Sequence, residues 1–143
     1  MGGSILEVTD EVPGSSELIR WFGYWPSFHD AEVLELQLHR TGHSTIRIHT
    51  FEATSNVNSQ GFFICTKHVI VGFVLEGLKN LHLDYFNGQN VISGLDLKQK
   101  TDGYELTLEG CHGVEGTLTA DRVRIEIKPG LPTDSQYRDL AQP

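Results

Sequence analysis

The sequence places a histidine beside a carboxylate at His29 and Asp30, with Ser27 two residues before the histidine. A histidine oriented by a carboxylate is a common general-base arrangement. Adjacent side chains of an extended segment point to opposite faces, however, so these two are not expected to pair with each other. The sequence also contains no Gly-x-Ser-x-Gly nucleophile elbow. We therefore expect no catalysis here: Ser27 or Asp30 caps backbone amides of a turn and His29 bonds a carbonyl, while a role in partner binding stays open.

Seven histidines and two cysteines could supply ligands for a soft metal ion. Neither Cys65 nor Cys111 lies in a Cys-x-x-Cys pair. His39 and His49 can face each other diagonally across a predicted hairpin, but the neighbouring Arg47 disfavours a bound dication. The sequence therefore predicts no metal and no cofactor, histidines on solvated strand faces, and two free thiols, with a disulfide between them left open.

A second unusual run follows a predicted strand and begins with the aromatic residue Phe86. Strand parity places this side chain on the outer face, opposite the apolar residues of its strand. Asn87 and Gly88 suit a turn because both accept a left-handed backbone. Gln89 and Asn90 add further amides, which suit either an internal turn network or the backbone of a partner.

Composition indicates one domain and excludes several classes of partner. The chain has 143 residues, of which 38% are hydrophobic and 21% charged, with a net charge of -8. The negative net charge argues against nucleic-acid binding, which needs a basic face. Composition leaves the oligomeric state open. The longest apolar run, Val69 to Leu75, is too short to cross a bilayer, and Met1 to Ser4 does not resemble a signal peptide. We expect a cytoplasmic protein with no membrane partner.

One short helix is predicted near residues 15–23. Ser15 and Ser16 offer N-cap oxygens, and Gly23 can end the helix in a left-handed conformation. Beyond Asp30 the apolar period changes to two. The alternating segments lie around residues 34–38, 46–48, 62–75, 81–85, 95–97, 104–108, 114–119 and 122–127.

This pattern predicts a mainly β (α+β) fold: an antiparallel meander folded as a β-sandwich or half-barrel with one short N-terminal helix. Matching the buried face of Leu36 to that of Ile46 leaves His49 on the opposite, solvated face. Residues 69–75 are apolar on both faces and should form a central strand, with the helix as its second cover. We expect a flexible lead-in at 1–14, a single domain at 15–128 and a flexible tail at 129–143.

Three blocks of the sequence resemble the immunity protein 50 family of bacterial polymorphic-toxin systems. The most specific is the tryptophan-proline-serine-phenylalanine-histidine-aspartate block, Trp25 to Asp30. Phe51-Glu52 and the run from Phe86 to Val91 resemble the family more weakly. The resemblance implies an immunity protein that binds a cognate toxin directly and occludes it, without a catalytic activity of its own.

That resemblance directs attention to aromatic anchors, a charged rim and the amide turn as partner-binding residues, although the same residues could instead serve the fold. The acidic balance would complement a basic toxin. The candidates are Trp25, Phe28, His29, Asp30, Glu32, Asp84, Phe86, Asn87, Gln89 and Asn90. Two alternatives stay open: a non-catalytic β module that binds another protein, and a small-ligand-binding or enzymatic β domain.

Overall fold

The computed structural model describes residues 12–135 and 137. Strands account for 63% of these residues and one short helix precedes them, which confirms the mainly β prediction. In chain order the elements are α1 (Ser15–Phe22), β1 (Ala31–Gln37), β2 (His43–Val57), β3 (Phe63–Asp84), β4 (Val91–Lys100), β5 (Gly103–His112) and β6 (Glu115–Pro129). The described part of the chain contains no helix with the length and apolarity needed to span a bilayer.

The six strands form one antiparallel sheet in the order β1-β2-β3-β6-β5-β4. The sheet curves until its two end strands meet at a short seam, where Ala31 pairs with Ile92 and Glu32 with Val91. This is the half-barrel form of the prediction. The connectivity departs from one continuous meander, because β3 pairs with β6 and residues 85–90 carry the chain across to the seam.

Strands β3 and β6 each unite two segments that the alternation pattern separates. Strand β3 (Phe63–Asp84) joins the segments predicted around 62–75 and 81–85, and β6 (Glu115–Pro129) joins those predicted around 114–119 and 122–127. The β3–β6 register shifts between Leu78 and Asn80. The polar residues near this point therefore form a bulge rather than a turn, and both strands continue past it.

The β1–β2 register follows the predicted pairing in part. Leu36 pairs with Ile46 on the same face, as expected, but Leu36 is half-buried rather than buried. A register shift between Val33 and Glu35 changes the parity of β1, so that Val33 is the buried residue opposite Ile48. A bulge of this kind turns the residues before it to the other face of the sheet.

Helix α1 belongs to the inner core rather than covering the outer face. Its Leu18 and Phe22 join the same buried cluster as Phe73 of β3, whereas Val74 points away from that cluster. The predicted serine N-cap is also wrong: Gly14 is the N-cap and makes no side-chain capping bond. The predicted left-handed end at Gly23 is confirmed, with φ of 89°.

Described residues on both sides of the predicted domain at 15–128 pack against the sheet. Val12 is buried and the amide of Ile125 donates to the carbonyl of Pro13 (2.8 Å), so residues 12–14 pack on β6. At the other end β6 continues to Pro129, and Ser135 is buried on the sheet. The remainder of the predicted lead-in and tail lies outside the described residues.

Candidate functional site

The connection from α1 to β1 is a turn rather than an extended segment. Phe28 and Asp30 have φ angles of 61° and 63°, a conformation that is uncommon for residues other than glycine. Backbone bonds from Asp30 to Ile92 (2.9 Å) and from Ala31 to Phe28 (3.2 Å) hold it in place. The turn brings His29 Nε2 within 3.5 Å of Asp30 Oδ2, which the expectation of opposed side chains had excluded.

The polar side chains of this turn stabilise it and remain exposed. Ser27 Oγ accepts a hydrogen bond from the amide of His29 (3.2 Å), and His29 Nδ1 lies 3.3 Å from the carbonyl oxygen of Ser93. These are the capping and carbonyl contacts predicted for the two residues. The His29 side chain is nevertheless 68% exposed and the Asp30 side chain 48% exposed, so both can contact a partner.

The aromatic residues of the same turn anchor it to the core. Phe28 is 1% exposed and its ring centroid lies 5.9 Å from those of both Trp25 and Phe73. Trp25 is half-buried against the same core. Phe28 therefore supports the fold, and Trp25 presents only part of its ring to solvent.

The amide turn before β4 is an internal network centred on Asn90. Asn90 Oδ1 accepts hydrogen bonds from the amides of Asn87 (3.0 Å) and Val114 (3.1 Å), and Asn90 Nδ2 donates to the carbonyl of Asn87 (2.7 Å). Asn87 Oδ1 accepts from the amide of Gln89 (2.8 Å). Asn90 and Asn87 thus shape the turn, and Gln89 is exposed within it.

Two grooves flank the first residues of β1. The amide groove, of about 490 Å³, lies between Glu32–Leu34 and residues 86–91, with Asp134 at its edge. Phe86 lines it and is 47% exposed. Asp84 is exposed and lies 3.5 Å from His82, outside the lining of this groove.

The second groove, the His29 groove, has a volume of about 260 Å³. His29 and Asp30 form one part of its lining, and Tyr24, Phe51 and Glu52 form another. Burial, and next the charge of Glu52, raise the pKa of the Tyr24 hydroxyl above its ordinary value, so the phenol keeps its proton near neutral pH. The lining of this groove combines apolar residues such as Phe51 with the hydrogen-bonding side chains of Tyr24, His29 and Asp30.

A buried polar cluster beside these grooves was not anticipated from the sequence. His49, expected on a solvated face, is 0% exposed and its Nδ1 lies 2.7 Å from Glu32 Oε1. Its Nε2 lies 2.9 Å from His68 Nδ1. Burial, and secondarily the His49 ring, lower the pKa of His68. The bulge in β1 turns Glu32 toward His49, and because it arises from strand pairing, the alternation pattern of the sequence did not indicate this arrangement.

The cysteines are both free, as predicted. Cys65 is buried and Cys111 is exposed. Burial, and next the charge of Asp30, raise the pKa of the Cys65 thiol, which keeps it protonated and poorly reactive. Within residues 12–135 and 137, no three or more His, Cys, Asp or Glu side chains are grouped so that they could hold a metal ion.

Comparison with known proteins adds one match. A family model described as immunity protein 50 matches residues 14–129, most of the chain. The chain belongs to the immunity protein 50 family. Searches of curated proteins and of solved structures each returned no match.

The three family-like blocks of this immunity protein 50 domain meet at one end of the half-barrel. The His29 groove is lined by residues 26, 27, 29 and 30 of the first block and by residues 51–52, and the amide groove is lined by residues 86–91. Glu32, between them in sequence and space, contributes to the amide groove. Of the predicted site residues, Phe28 lies beneath this surface, Asn90 is a buried part of the amide-groove lining, and Asp84 lies outside that lining.

The immunity protein 50 domain also exposes apolar residues where the sequence analysis placed no site. At the tip of the β2–β3 hairpin, Val57, Phe62 and Phe63 are all exposed. The turn is fixed by Asn58, whose Oδ1 accepts from the amides of Gln60 (2.9 Å) and Phe62 (3.0 Å). The adjacent residues Phe62 and Phe63 could have indicated this exposed apolar tip from the sequence, because residues 53–66 contain no charged side chain.

Proposed function

We propose that this protein neutralises a cognate bacterial toxin by binding it directly and blocking its active site or an essential surface beside it. The observation that carries this proposal is the immunity protein 50 match over residues 14–129. The protein acts as a binding protein without turnover of its own. It acts in the cytoplasm, where it protects the cell that makes it.

The end of the half-barrel that contains both grooves is the proposed toxin-binding surface. It offers what a tight protein interface uses: an exposed aromatic residue, Phe86, and a polar rim that includes His29, Asp30 and Gln89. Buried Phe28 and Asn90 fix the positions of the two loops that carry these residues. A surface fixed before binding loses less conformational entropy on association.

Charge favours a basic toxin surface as the other half of this interface. The protein carries a net charge of -8, and acidic side chains such as Asp30 and Asp134 lie along the grooves. Opposite charges accelerate encounter, and dissolved salt screens them. Raising the salt concentration should therefore slow association more than it speeds dissociation.

Co-expression with the toxin encoded by the neighbouring gene tests the proposal. Cells that express the toxin alone should stop growing, and cells that also express this protein should recover. Purified protein should bind the inactivated toxin in calorimetry and should reduce the activity of the wild-type toxin in proportion to the amount added. Failure of both rescue and binding would contradict the proposed function.

A turnover assay separates the binding role from catalysis. The most suggestive polar pair, His29 and Asp30, is exposed and separated by 3.5 Å. If the purified protein hydrolysed a substrate and His29→Ala removed that activity with the fold intact, the protein would be an enzyme and the binding proposal would be wrong.

A further inference from the structure

The His29 groove brings carboxylates and aromatic rings together in a space of limited size. Asp30 and Glu52 supply the carboxylates, Tyr24 and Phe51 supply the rings, and none of the described residues that line the groove is a lysine or an arginine. Its volume of about 260 Å³ lies below the range of about 300–1,000 Å³ typical of pockets that enclose a drug-sized ligand. The groove therefore suits a single side chain of a partner.

The two carboxylates of the groove differ in how far the protein itself neutralises them. Glu52 Oε1 lies 3.1 Å from Lys67 Nζ, so a lysine of the same chain compensates this charge. Among the residues that the structure describes, Asp30 has one ion-pair contact, with the His29 ring at 3.5 Å. The Asp30 side chain is also 48% exposed, so its negative charge is open to a cation from outside.

The hydrogen-bonding roles of His29 and Asp30 leave two acceptors beside each other. His29 Nδ1 lies 3.3 Å from the carbonyl oxygen of Ser93, and a carbonyl only accepts, so Nδ1 carries the hydrogen. In the neutral ring Nε2 then accepts, yet it lies 3.5 Å from Asp30 Oδ2, which accepts as well. A partner group that directs one N–H to each of these two atoms satisfies both.

The aromatic rings of the groove add a surface for a flat cation. Tyr24 is 49% exposed, and its phenol keeps its proton near neutral pH, so the ring carries no charge. Phe51 is half-buried, with its ring centroid 5.6 Å from that of His49 and 5.7 Å from that of His68. Aromatic faces attract cations, and a planar guanidinium stacks on them while its edge donates several hydrogen bonds.

We propose that the His29 groove is a binding subsite for one arginine side chain of the toxin. The guanidinium lies against the rings of Tyr24 and Phe51 and donates to Asp30 Oδ2 and His29 Nε2. A lysine ammonium carries the same charge but has no planar face to stack on the rings and no fork of donors. The inference rests on the proposed function for the source of the arginine, and it adds the chemistry that the toxin presents at this groove.

A blocked arginine tests the subsite without the toxin. In an NMR titration of the full chain at about pH 7.5, Nα-acetyl-arginine methylamide should shift the signals of Tyr24, residues 29–30 and residues 51–53 in a saturable way. The corresponding lysine derivative should bind more weakly. The norleucine derivative, which has an apolar side chain without charge, should leave these signals unchanged.

Variants of the groove identify the groups that bind. Asp30→Asn removes the charge and keeps the turn, because asparagine tolerates the φ of 63° at this position, and it should weaken binding of the blocked arginine about tenfold. Tyr24→Leu, which removes a half-exposed ring, should weaken binding as well. Asp102→Asn is the control, since it neutralises an exposed aspartate outside the lining of both grooves and should change nothing.

Calorimetry with the inactivated toxin tests the same contact in the complex. Asp30→Asn should weaken toxin binding about tenfold, whereas Asp102→Asn should not. Replacing each arginine of the toxin by glutamine in turn should reveal one position at which the further effect of Asp30→Asn disappears, as a double-mutant cycle requires of two groups in contact.

The subsite is overturned if the norleucine or lysine derivative shifts the groove signals as strongly as the arginine derivative, or if no toxin arginine couples to Asp30. It is equally overturned if Asp30→Asn binds blocked arginine as the wild type does. If Asp30→Asn does not fold, the comparison of the three derivatives on the wild type decides. A toxin that still binds in those cases leaves the proposed function standing, whereas a chain that binds blocked arginine but no toxin contradicts the proposed function.

Discussion

Phe28 and Phe86 are aromatic residues of two family-like blocks, and the fold places them in opposite environments. Phe28 is enclosed by Trp25 and Phe73, whereas Phe86 projects into the amide groove with about half of its surface exposed. Both were candidate anchors for a toxin because residue type alone does not distinguish a core aromatic from an interface aromatic. Their predicted mutational effects therefore differ in kind.

Replacement of Phe28 should affect folding. Phe28→Ala removes a ring that is 1% exposed and leaves a cavity beside Phe73, so we expect it to lower the free energy of unfolding by about 3–5 kcal/mol. Urea denaturation followed by circular dichroism measures this. Phe86→Ala is the matched control, because it truncates the same residue type at an exposed position. A change below about 1 kcal/mol for Phe28 would place the ring outside the core.

Replacement of Phe86 should affect binding. We expect Phe86→Ala to weaken toxin binding by at least about 1 kcal/mol while the melting temperature stays nearly unchanged, because an exposed ring in a groove contributes mainly when a partner covers it. Calorimetry with the inactivated toxin measures the affinity. Leu81→Ala, at an exposed apolar residue outside the groove lining, serves as the control. A large loss of melting temperature with unchanged affinity would assign Phe86 to the fold.

At the scale of elements, the loop between β3 and β4 closes the half-barrel seam. The carbonyl of Asn90 accepts from the amide of Val33 (2.8 Å), while its side chain binds Asn87 and Val114. One asparagine thus connects β1, the loop and the start of β6. The sequence indicated a turn here but not the contacts with Val33 and Val114, because Val114 lies 24 residues away in the chain and Val33 lies across the seam.

Removing this asparagine should loosen the seam. Asn90→Ala leaves the amide of Val114 without its acceptor, and we expect a loss of about 1–3 kcal/mol in the free energy of unfolding. Hydrogen exchange should accelerate at residues 85–92 more than in the centre of β3. The control is Asn80→Ala, which changes the same residue type at an exposed position. Equal exchange in the two variants would contradict the bridging role of Asn90.

At the scale of the whole molecule, His68 links stability to pH. Burial lowers its folded-state pKa, whereas in the unfolded chain the pKa is about 6.5. Below that value the unfolded state binds more protons, so this contribution to stability is intact above about pH 6.5 and declines as the pH falls further. The protein should therefore be less stable at about pH 5.5 than at about pH 7.5.

Denaturant midpoints measure this linkage. The contribution of a single histidine cannot exceed about 1.4 kcal/mol for each pH unit crossed. His68→Asn should reduce the decline between the two pH values, whereas His82→Asn should leave it unchanged. An identical decline in wild type and His68→Asn would assign the pH dependence to other groups.

The sequence by itself determined the features that depend on neighbouring residues. The alternation of apolar and polar residues indicated the strand segments, and Gly23 indicated where α1 ends. The block from Trp25 to Asp30 indicated the family. Even the shared face of Leu36 and Ile46 followed, because matching the apolar faces of a hairpin fixes its pairing parity.

The tertiary structure decided what depends on distant partners. The bulge in β1 turns Glu32 to the face of His49, where the rings of Phe51, His68 and Tyr137 also pack on the histidine, and together they bury a residue expected on a solvated face. The pairing of β3 with β6, and the attachment of Ser135 to Glu32 across 103 residues, have no local signal. These long-range contacts are selected by the burial and hydrogen bonding of the whole chain. A register shift of one residue is enough to move the buried side chains of a strand to its exposed face.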